Sequence, residues 1–229
     1  MEQLTIPKRA DPSSWQPPLV VLAGVGMARS DIPAQTEQWI DRAEILVGGQ
    51  RVLDWFPEHP GKRIPFQSTM DPSLDEAIAL SANNRVLVLA SGDPLFFGIG
   101  RRLVRRLGRE RLLVFPNINS VQALFARIAE PWEDVRSLSL HGRSGSDWLQ
   151  EVAAGHKVAL FTDPQHTPAW IAQQMADAGL VECRLVVGEN LGRPDEMVRV
   201  LTVAEASRIT FAPLNVVAIL PGAANASEP

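Results

Sequence analysis

An α/β fold, with sheets covered by helices on their faces, is predicted by three observations. Apolar runs such as "LVVLAGVG" (19–26), "RVLVLA" (85–90), "KVALFT" (157–162) and "LNVVAIL" (214–220) are continuous rather than alternating. A strand buried on both faces reads that way, because neither side of its pleat meets water. Amphipathic segments of helical period lie between the runs, and this rhythm continues through both halves of the chain.

The elements follow in order. "LVVLAGVG" is a buried strand entering a glycine turn, "TEQWIDRA" (36–43) a helix and "EILVGG" (44–49) the next strand. "GQRVLDWF" (49–56) reads as a short helix and "KRIPF" (62–66) as a short edge strand. "SLDEAIALSA" (73–82) is helical, with Asp71 or Ser73 as its expected cap. After the strand "RVLVLA", the segment "GIGRRLVRRLG" (98–108) forms a helix with Ile99, Leu103 and Leu107 on one face, followed by the strand "RLLVFP" (111–116). The second half gives helix 120–129, strand 135–140, helix 146–155 with a glycine stop, strand 157–162 and helix 168–179 with another glycine stop. Strands 182–190, 196–202 and 214–220 then come in close succession, which predicts a mixed sheet. The joint between halves is expected in "FPNINS" (115–120), giving domains over 19–116 and 117–221.

Composition narrows the function classes. A net charge of −4 gives no global attraction to nucleic acid or to an anionic membrane. Cys183 is the only cysteine, so no intrachain disulfide forms, which fits a reducing compartment. No apolar run approaches the roughly 20 residues of a membrane span. The start, "MEQLTIPKRADPSSWQPP" (1–18), lacks the apolar core of a signal peptide and reads as a poorly ordered lead-in. The tail "GAANASEP" (222–229) reads as equally loose, and a cytoplasmic protein is expected. Tyrosine is absent, which removes it as a catalytic acid.

Five constellations stand out. Gly24 and Gly26 end the first strand as in a nucleotide-binding turn, but Arg29 stands where a dinucleotide fingerprint needs a third glycine, and no P-loop follows. A tight turn of any α/β protein remains the other reading. Gly92, Asp93 and Pro94 make a stiff turn at a strand end: Asp93 holds it through backbone N–H groups, and Phe96 and Phe97 supply an apolar wall. A capped turn followed by core phenylalanines is the alternative. Asn117, Asn119 and Ser120 precede a helix, as its cap or as a polar loop facing a ligand. Arg101, Arg102, Arg105, Arg106, Arg109 and Arg111 form a basic stripe, either a solvated face or a lure for a polyanion. Aromatic residues do not interleave with it as a nucleic-acid platform requires. Of the histidines His59, His141, His156 and His166, no pair has metal-ligand spacing, while His141 and His166 sit in polar loops after strands.

Together, "ASGDPLFFGIG" (90–100), "FPNINSVQALFARI" (115–128), "PWEDVRSLSLHGR" (131–143), "FTDPQHTPAWIA" (161–172), "GENLGRPDE" (188–196) and "PLNVVAIL" (213–220) resemble the tetrapyrrole (corrin/porphyrin) methylase superfamily. The "SLHGR", "TDP-H-P" and "ENLG-PDE" segments resemble its precorrin-6Y / cobalt-precorrin-7 carbon-5 methylase branch. The resemblance runs from about residue 19 to 221 and implies two α/β domains of mixed sheets flanked by helices, the class III methyltransferase fold. It implies S-adenosylmethionine in a cleft between them, a precorrin substrate and a homodimer. Gly24 and Gly26 match the first donor loop, although Met27 departs from the Gly-x-Gly-Pro-Gly form of many relatives. Gly92, Asp93 and Pro94 match the central donor loop, Ser120 and Val121 the stretch along the donor, Phe161 and Thr162 the strand end beside adenosine, and Ala212 to Leu214 the loop that reads adenine. Phe96, Phe97, Arg101 and Arg143 are expected to meet the macrocycle and its carboxylates, and His141 or Asp163 to assist loss of a proton. No metal ligand and no covalent nucleophile are expected. Decarboxylation and carbon-15 methylation, which fused relatives perform, are expected from a separate partner. Rival readings are a methylase acting on another precorrin or a non-tetrapyrrole substrate, and a non-catalytic nucleotide-binding module.

Overall fold

The structure is a computed structural model that describes residues 11–67, 69–140 and 147–222. The chain divides between Asn119 and Ser120 into two compact units.

The first unit contains β1 (Val20–Gly24), α1 (Ala34–Arg42), β2 (Ile45–Gly48), α2 (Gln50–Leu53), β3 (Lys62–Pro65), α3 (Asp71–Leu80), β4 (Val86–Ala90), α4 (Gly100–Leu107) and β5 (Leu112–Phe115). The strands lie in the order β3-β2-β4-β1-β5, and every pairing is parallel. Successive side chains of a strand leave on opposite faces, so one apolar run feeds two cores. Val21 and Ala23 pack with Trp39 and Ile40 of α1 and with Val52 and Leu53 of α2. Val20 and Leu22 pack with Leu74 and Ala77 of α3 and with Leu103 and Leu107 of α4. That two-sided burial is why these strands show no polar alternation.

Two local expectations change. Residues 11–18 fall in the stretch expected to be poorly ordered, yet Trp15 is 1% exposed. It follows a short 3-10 turn at Pro12–Ser14 capped by Asp11. Its indole N–H donates to Leu19 O at 2.8 Å, and its ring lies 5.4 Å from that of Trp39. Burying an aromatic side chain stabilises by roughly 1.5–3 kcal/mol, which offsets the cost of ordering a proline-rich segment. Neither Asp71 nor Ser73 is the cap of α3: Met70 holds that position, Pro72 lies in the first turn, and the buried Ser73 hydroxyl donates to Pro65 O at 2.8 Å.

The second unit contains α5 (Ser120–Ile128), β6 (Arg136–Ser139), α6 (Asp147–Ala153), β7 (Val158–Phe161), α7 (Pro168–Asp177), β8 (Arg184–Glu189), β9 (Met197–Thr202), α8 (Val203–Ala206) and β10 (Asn215–Leu220). Its sheet is mixed, in the order β6-β7-β10-β8-β9. β6 and β7 are parallel, while β10 runs antiparallel to both β7 and β8, and β9 antiparallel to β8. Val158, Leu160, Leu185, Val187, Val217 and Ile219 face one core. α7 begins where the Thr167 hydroxyl accepts from Trp170 N and Pro168 takes the first turn. β9 is an edge, and Val200 on it is 61% exposed. No helix among the described residues is long and apolar enough to cross a membrane.

Candidate functional site

In the first unit the carboxyl ends of β1, β4 and β5 carry three loops tied to one another. Gly26 and Gly92 form an antiparallel bridge, with Gly92 N donating to Gly26 O at 3.0 Å. A Cβ on Gly24 would meet Gly92 O at 2.4 Å and Asn117 N at 2.9 Å, so only glycine lets the three loops close. Gly26 has φ +71, and the Asp31 carboxylate next to it accepts from Met27 N and Ala28 N at 2.8 and 2.9 Å. The Asn117 amide completes the knot by donating to Gly24 O at 3.1 Å and Asp31 O at 3.0 Å. Sequence reasoning placed Asn117 in a polar loop but gave no role to Asp31. An acid five residues after Gly26, able to cap the loop, was the available signal.

The Gly92–Asp93–Pro94 turn is built as its chemistry requires. Asp93 Oδ1 accepts from Leu95 N at 2.8 Å, and Pro94 O accepts from Gly100 N at 2.9 Å, which seats the start of α4. Phe96 and Phe97 meet edge to face at 4.9 Å. Phe97 has φ +54, a strained setting for a bulky residue. It and Leu95 are exposed, so this pair is not simply core.

The basic stripe splits. Arg102 and Arg106 bind Asp71 at 2.9 and 2.8 Å, and Arg106 also reaches Asp75 at 2.8 Å. They tie α4 to α3 at the surface, where both arginines remain exposed. Arg111 donates to the Ser81 hydroxyl at 3.1 Å. Arg101, Arg105 and Arg109 are exposed.

In the second unit the antiparallel direction of β10 brings its first residues beside the last residues of β7 and β8, pairing Val216 with Phe161 and Asn215 with Glu189. One edge of this sheet therefore collects the "TDPQHTP", "GENLGRPDE" and "APLN" segments. The Thr162 hydroxyl is within 2.8 Å of Asn215 Oδ1 and 3.0 Å of Asn215 O, and Asn215 Nδ2 donates to Ala212 O at 2.6 Å. Ala212 N donates to Glu189 Oε1 at 2.7 Å. Glu189 is 4% exposed; its Oε2 lies 3.0 Å from Arg199 Nε but off the hydrogen-bond direction, so that contact is an ion pair. The chain Arg199–Glu189–Ala212–Asn215–Thr162 fixes the loop before β10. The Ala212 N–H is thus occupied, and what this loop offers a ligand is carbonyl oxygen and the exposed Leu214. Glu196 accepts from Arg127 at 2.5 Å and from Gly192 N at 2.6 Å, and the Arg127 hydrogen bond holds its carboxyl below the usual range.

Asp163 does not sit as a proton acceptor would. Its Oδ1 accepts from Gln165 N at 2.9 Å and His166 N at 2.8 Å, and both its oxygens lie 3.0 Å from His166 Nδ1. Burial works to raise this carboxyl, but the hydrogen bonds from the His166 ring, His166 N and Gln165 N outweigh it and bring it to about 2. A carboxylate so held is a poor base. His141 and Arg143 lie outside the described residues. Ser120 opens α5, and Val121 is fully buried on it. His59 is structural, bonded to Ile40 O and Gly61 N, as is His156, which pairs with Glu151. No metal-binding group of His, Cys, Asp and Glu occurs among the described residues.

The Gly92–Phe97 turn offers backbone carbonyls, the Asp93 carboxylate and exposed apolar side chains, with no lysine or arginine within it. The nearby Arg29 is neutralised by Glu37. At the sheet edge of the second unit, Thr162, Asn215 and the Ala212 carbonyl are polar groups bonded to one another.

Comparison with known proteins gives the lineage. The family model for tetrapyrrole (corrin/porphyrin) methylases matches residues 19–207. A cobalt-precorrin-7 C(5)-methyltransferase of Salmonella typhimurium is 36% identical over 188 residues, covering 81% of this chain and 92% of that protein. A decarboxylating precorrin-6Y C(5,15)-methyltransferase of Sinorhizobium is 29% identical over 216 residues, covering 92% of this chain but 52% of that longer protein. Among solved structures, a precorrin-6Y methylase of cobalamin biosynthesis from Archaeoglobus fulgidus superposes with a TM-score of 0.72 at 20% identity, covering 89% of this chain and 98% of that one. A uroporphyrin-III C-methyltransferase from Thermus thermophilus, solved with S-adenosyl homocysteine, gives a TM-score of 0.70 at 19% identity over 88% of this chain and 92% of that one. By sequence and by fold, the chain belongs to the tetrapyrrole (corrin/porphyrin) methylases.

Proposed function

We propose that this chain is an S-adenosylmethionine-dependent methyltransferase that adds a methyl group to carbon 5 of a precorrin in cobalamin biosynthesis. The observation that carries the reading is the 36% identity, over 81% of this chain and 92% of the relative, to a cobalt-precorrin-7 C(5)-methyltransferase. S-adenosylmethionine supplies a methyl group already activated on a sulfonium. The chain's part is to hold donor and acceptor in line, an effect that reaches ~7–11 kcal/mol in favourable systems.

In this reading Gly24, Gly26 and the Gly92–Asp93–Pro94 turn receive the donor's amino-acid end and sulfur, with carbonyl dipoles toward the positive charge. Ser120 and Val121 lie along it. Phe161, Thr162 and the Ala212–Leu214 loop receive the adenosine, the last through Ala212 O. Phe96, Phe97, Arg101 and Arg143 face the macrocycle, the arginines meeting its carboxylates. The chain works in the cytoplasm as a homodimer. The Sinorhizobium relative, about twice as long as the aligned region, also carries the C(15) and decarboxylating activity in its name; a protein with that activity is the partner this chain works beside.

The test is incubation of the purified chain with S-adenosylmethionine and precorrin-6B. The expected product carries one added methyl at carbon 5, read by mass and carbon NMR. Absence of transfer to this substrate, with transfer to another precorrin, overturns the regiochemistry. Asp93→Ala, which removes the acceptor of Leu95 N, weakens S-adenosylhomocysteine binding by calorimetry; unchanged affinity counts against the donor turn.

A further inference from the structure

We infer that His166 is the base that removes the proton displaced from the methylated carbon, and that Asp163 is the residue that positions it; this rests on the methyltransferase reading above. An electron-rich meso carbon that accepts a methyl group briefly bears both that methyl and its original hydrogen. Loss of the proton breaks the C–H bond, returns its electron pair to the conjugated ring and cancels the positive charge the ring has acquired. The proton needs an acceptor with a free lone pair.

Among the described residues, the edge of the second unit that carries the Thr162 and Ala212 segments has several titratable groups, and nearly all are engaged; His141 lies outside them. Asp163 accepts three hydrogen bonds from its own loop. Glu189 is taken by Ala212 N and Arg199, and Glu196 by Arg127 and Gly192 N. Asp195 pairs with Asn190 Nδ2 at 2.9 Å and with Arg193 at 3.2 Å. His166 differs. Its Nδ1 lies 3.0 Å from both Asp163 oxygens, so the ionised carboxylate fixes the proton on Nδ1. Nε2 is therefore the nitrogen with the lone pair, and no hydrogen bond engages it among the described residues.

The ring is also held in place. It meets Trp170 edge to face at 4.7 Å, and the Asp163 turn binds the His166 backbone as well as its side chain. The imidazole follows Thr162 by four residues in one rigid β7–α7 loop and is 22% exposed. On taking the proton at Nε2 it becomes an imidazolium beside a carboxylate, which stabilises that state before release to water.

Two measurements decide it. In the ligand-free chain, nitrogen NMR of His166 should show a protonated Nδ1 and an unprotonated Nε2, and Asp163→Asn should disturb that preference. With precorrin-6B carrying deuterium at carbon 5, the wild-type chain should show little isotope effect. His166→Asn should turn over about 10²–10⁴-fold more slowly, with a primary isotope effect and unchanged S-adenosylhomocysteine affinity. Near-normal turnover of His166→Asn without an isotope effect overturns the role of His166 while leaving the methyltransferase reading intact. The opposite tautomer in the wild-type chain overturns it even if the variant fails to fold. A wild-type chain that transfers no methyl to any precorrin overturns both.

Discussion

Substituting Gly24 by alanine drives a methyl group into the knot that joins three loops. The added Cβ would stand 2.4 Å from Gly92 O, 2.9 Å from Asn117 N and 3.0 Å from Asn117 Cβ. The first contact is about 1 Å inside ordinary van der Waals separation. The obstructing atoms are largely backbone, and they are pinned: Gly92 N is bonded to Gly26 O, Val25 N to Ala90 O and the Asn117 amide to Gly24 O. No flexible side chain can swing aside from Gly92 O. Overpacking of this kind costs about 1–3 kcal/mol, and each kcal/mol lowers the melting temperature of a chain this size by roughly 2–4 °C. Gly24→Ala should therefore melt about 2–12 °C below the wild-type chain and bind S-adenosylhomocysteine more weakly. Differential scanning calorimetry and titration calorimetry read the two effects. Gly49→Ala is the control, since φ is −63 there and nothing lies within 4 Å of the added atom. If Gly24→Ala melts like the Gly49→Ala control and binds like the wild-type chain, the close approach does not hold these loops.

Glu189→Gln removes the charge that binds Arg199 and weakens the acceptor of Ala212 N. Hydrogen bonds to charged groups contribute ~1.5–3 kcal/mol, so Ala212 amide exchange should quicken about tenfold or more; unchanged protection would show that the loop is held by other means. The Asp163 carboxyl is lowered from 3.8 to about 2 on folding. Its contribution is fully present above the unfolded value and is lost as pH falls toward about 2. The stability difference between wild type and Asp163→Asn, measured by urea unfolding, should therefore shrink on acidification through that window; a constant difference would exclude a native-state depression of this group.

Much of the fold was legible because the central strands β1, β2, β4, β7, β8 and β10 are largely apolar and the helices amphipathic, so local pattern and tertiary burial agree. α8 was missed: four residues are too few to show a helical period, and its signature is the reciprocal cap between Thr202 and Glu205. Trp15 was misread because proline and serine dominate its neighbours, while the event that orders them is one indole entering a distant core. In the candidate site, glycines and polar motifs at strand ends were visible as residues. That Asn215 stands beside Thr162 and Glu189 was not, because periodicity does not reveal strand direction. The division of labour between Asp163 and His166 was equally hidden, since it depends on where an imidazole nitrogen falls within one turn.

The bridge between Gly26 and Gly92 has a mechanical consequence. Two segments some 66 positions apart in sequence are stitched main chain to main chain, a link made by backbone atoms and not by side chains. Displacement of either must be transmitted to the other, so a fluorophore or spin label on the first segment would register events at the second. Mutational tuning of the pair is then best done jointly, because a change that relaxes one and leaves the other taut strains the stitch itself.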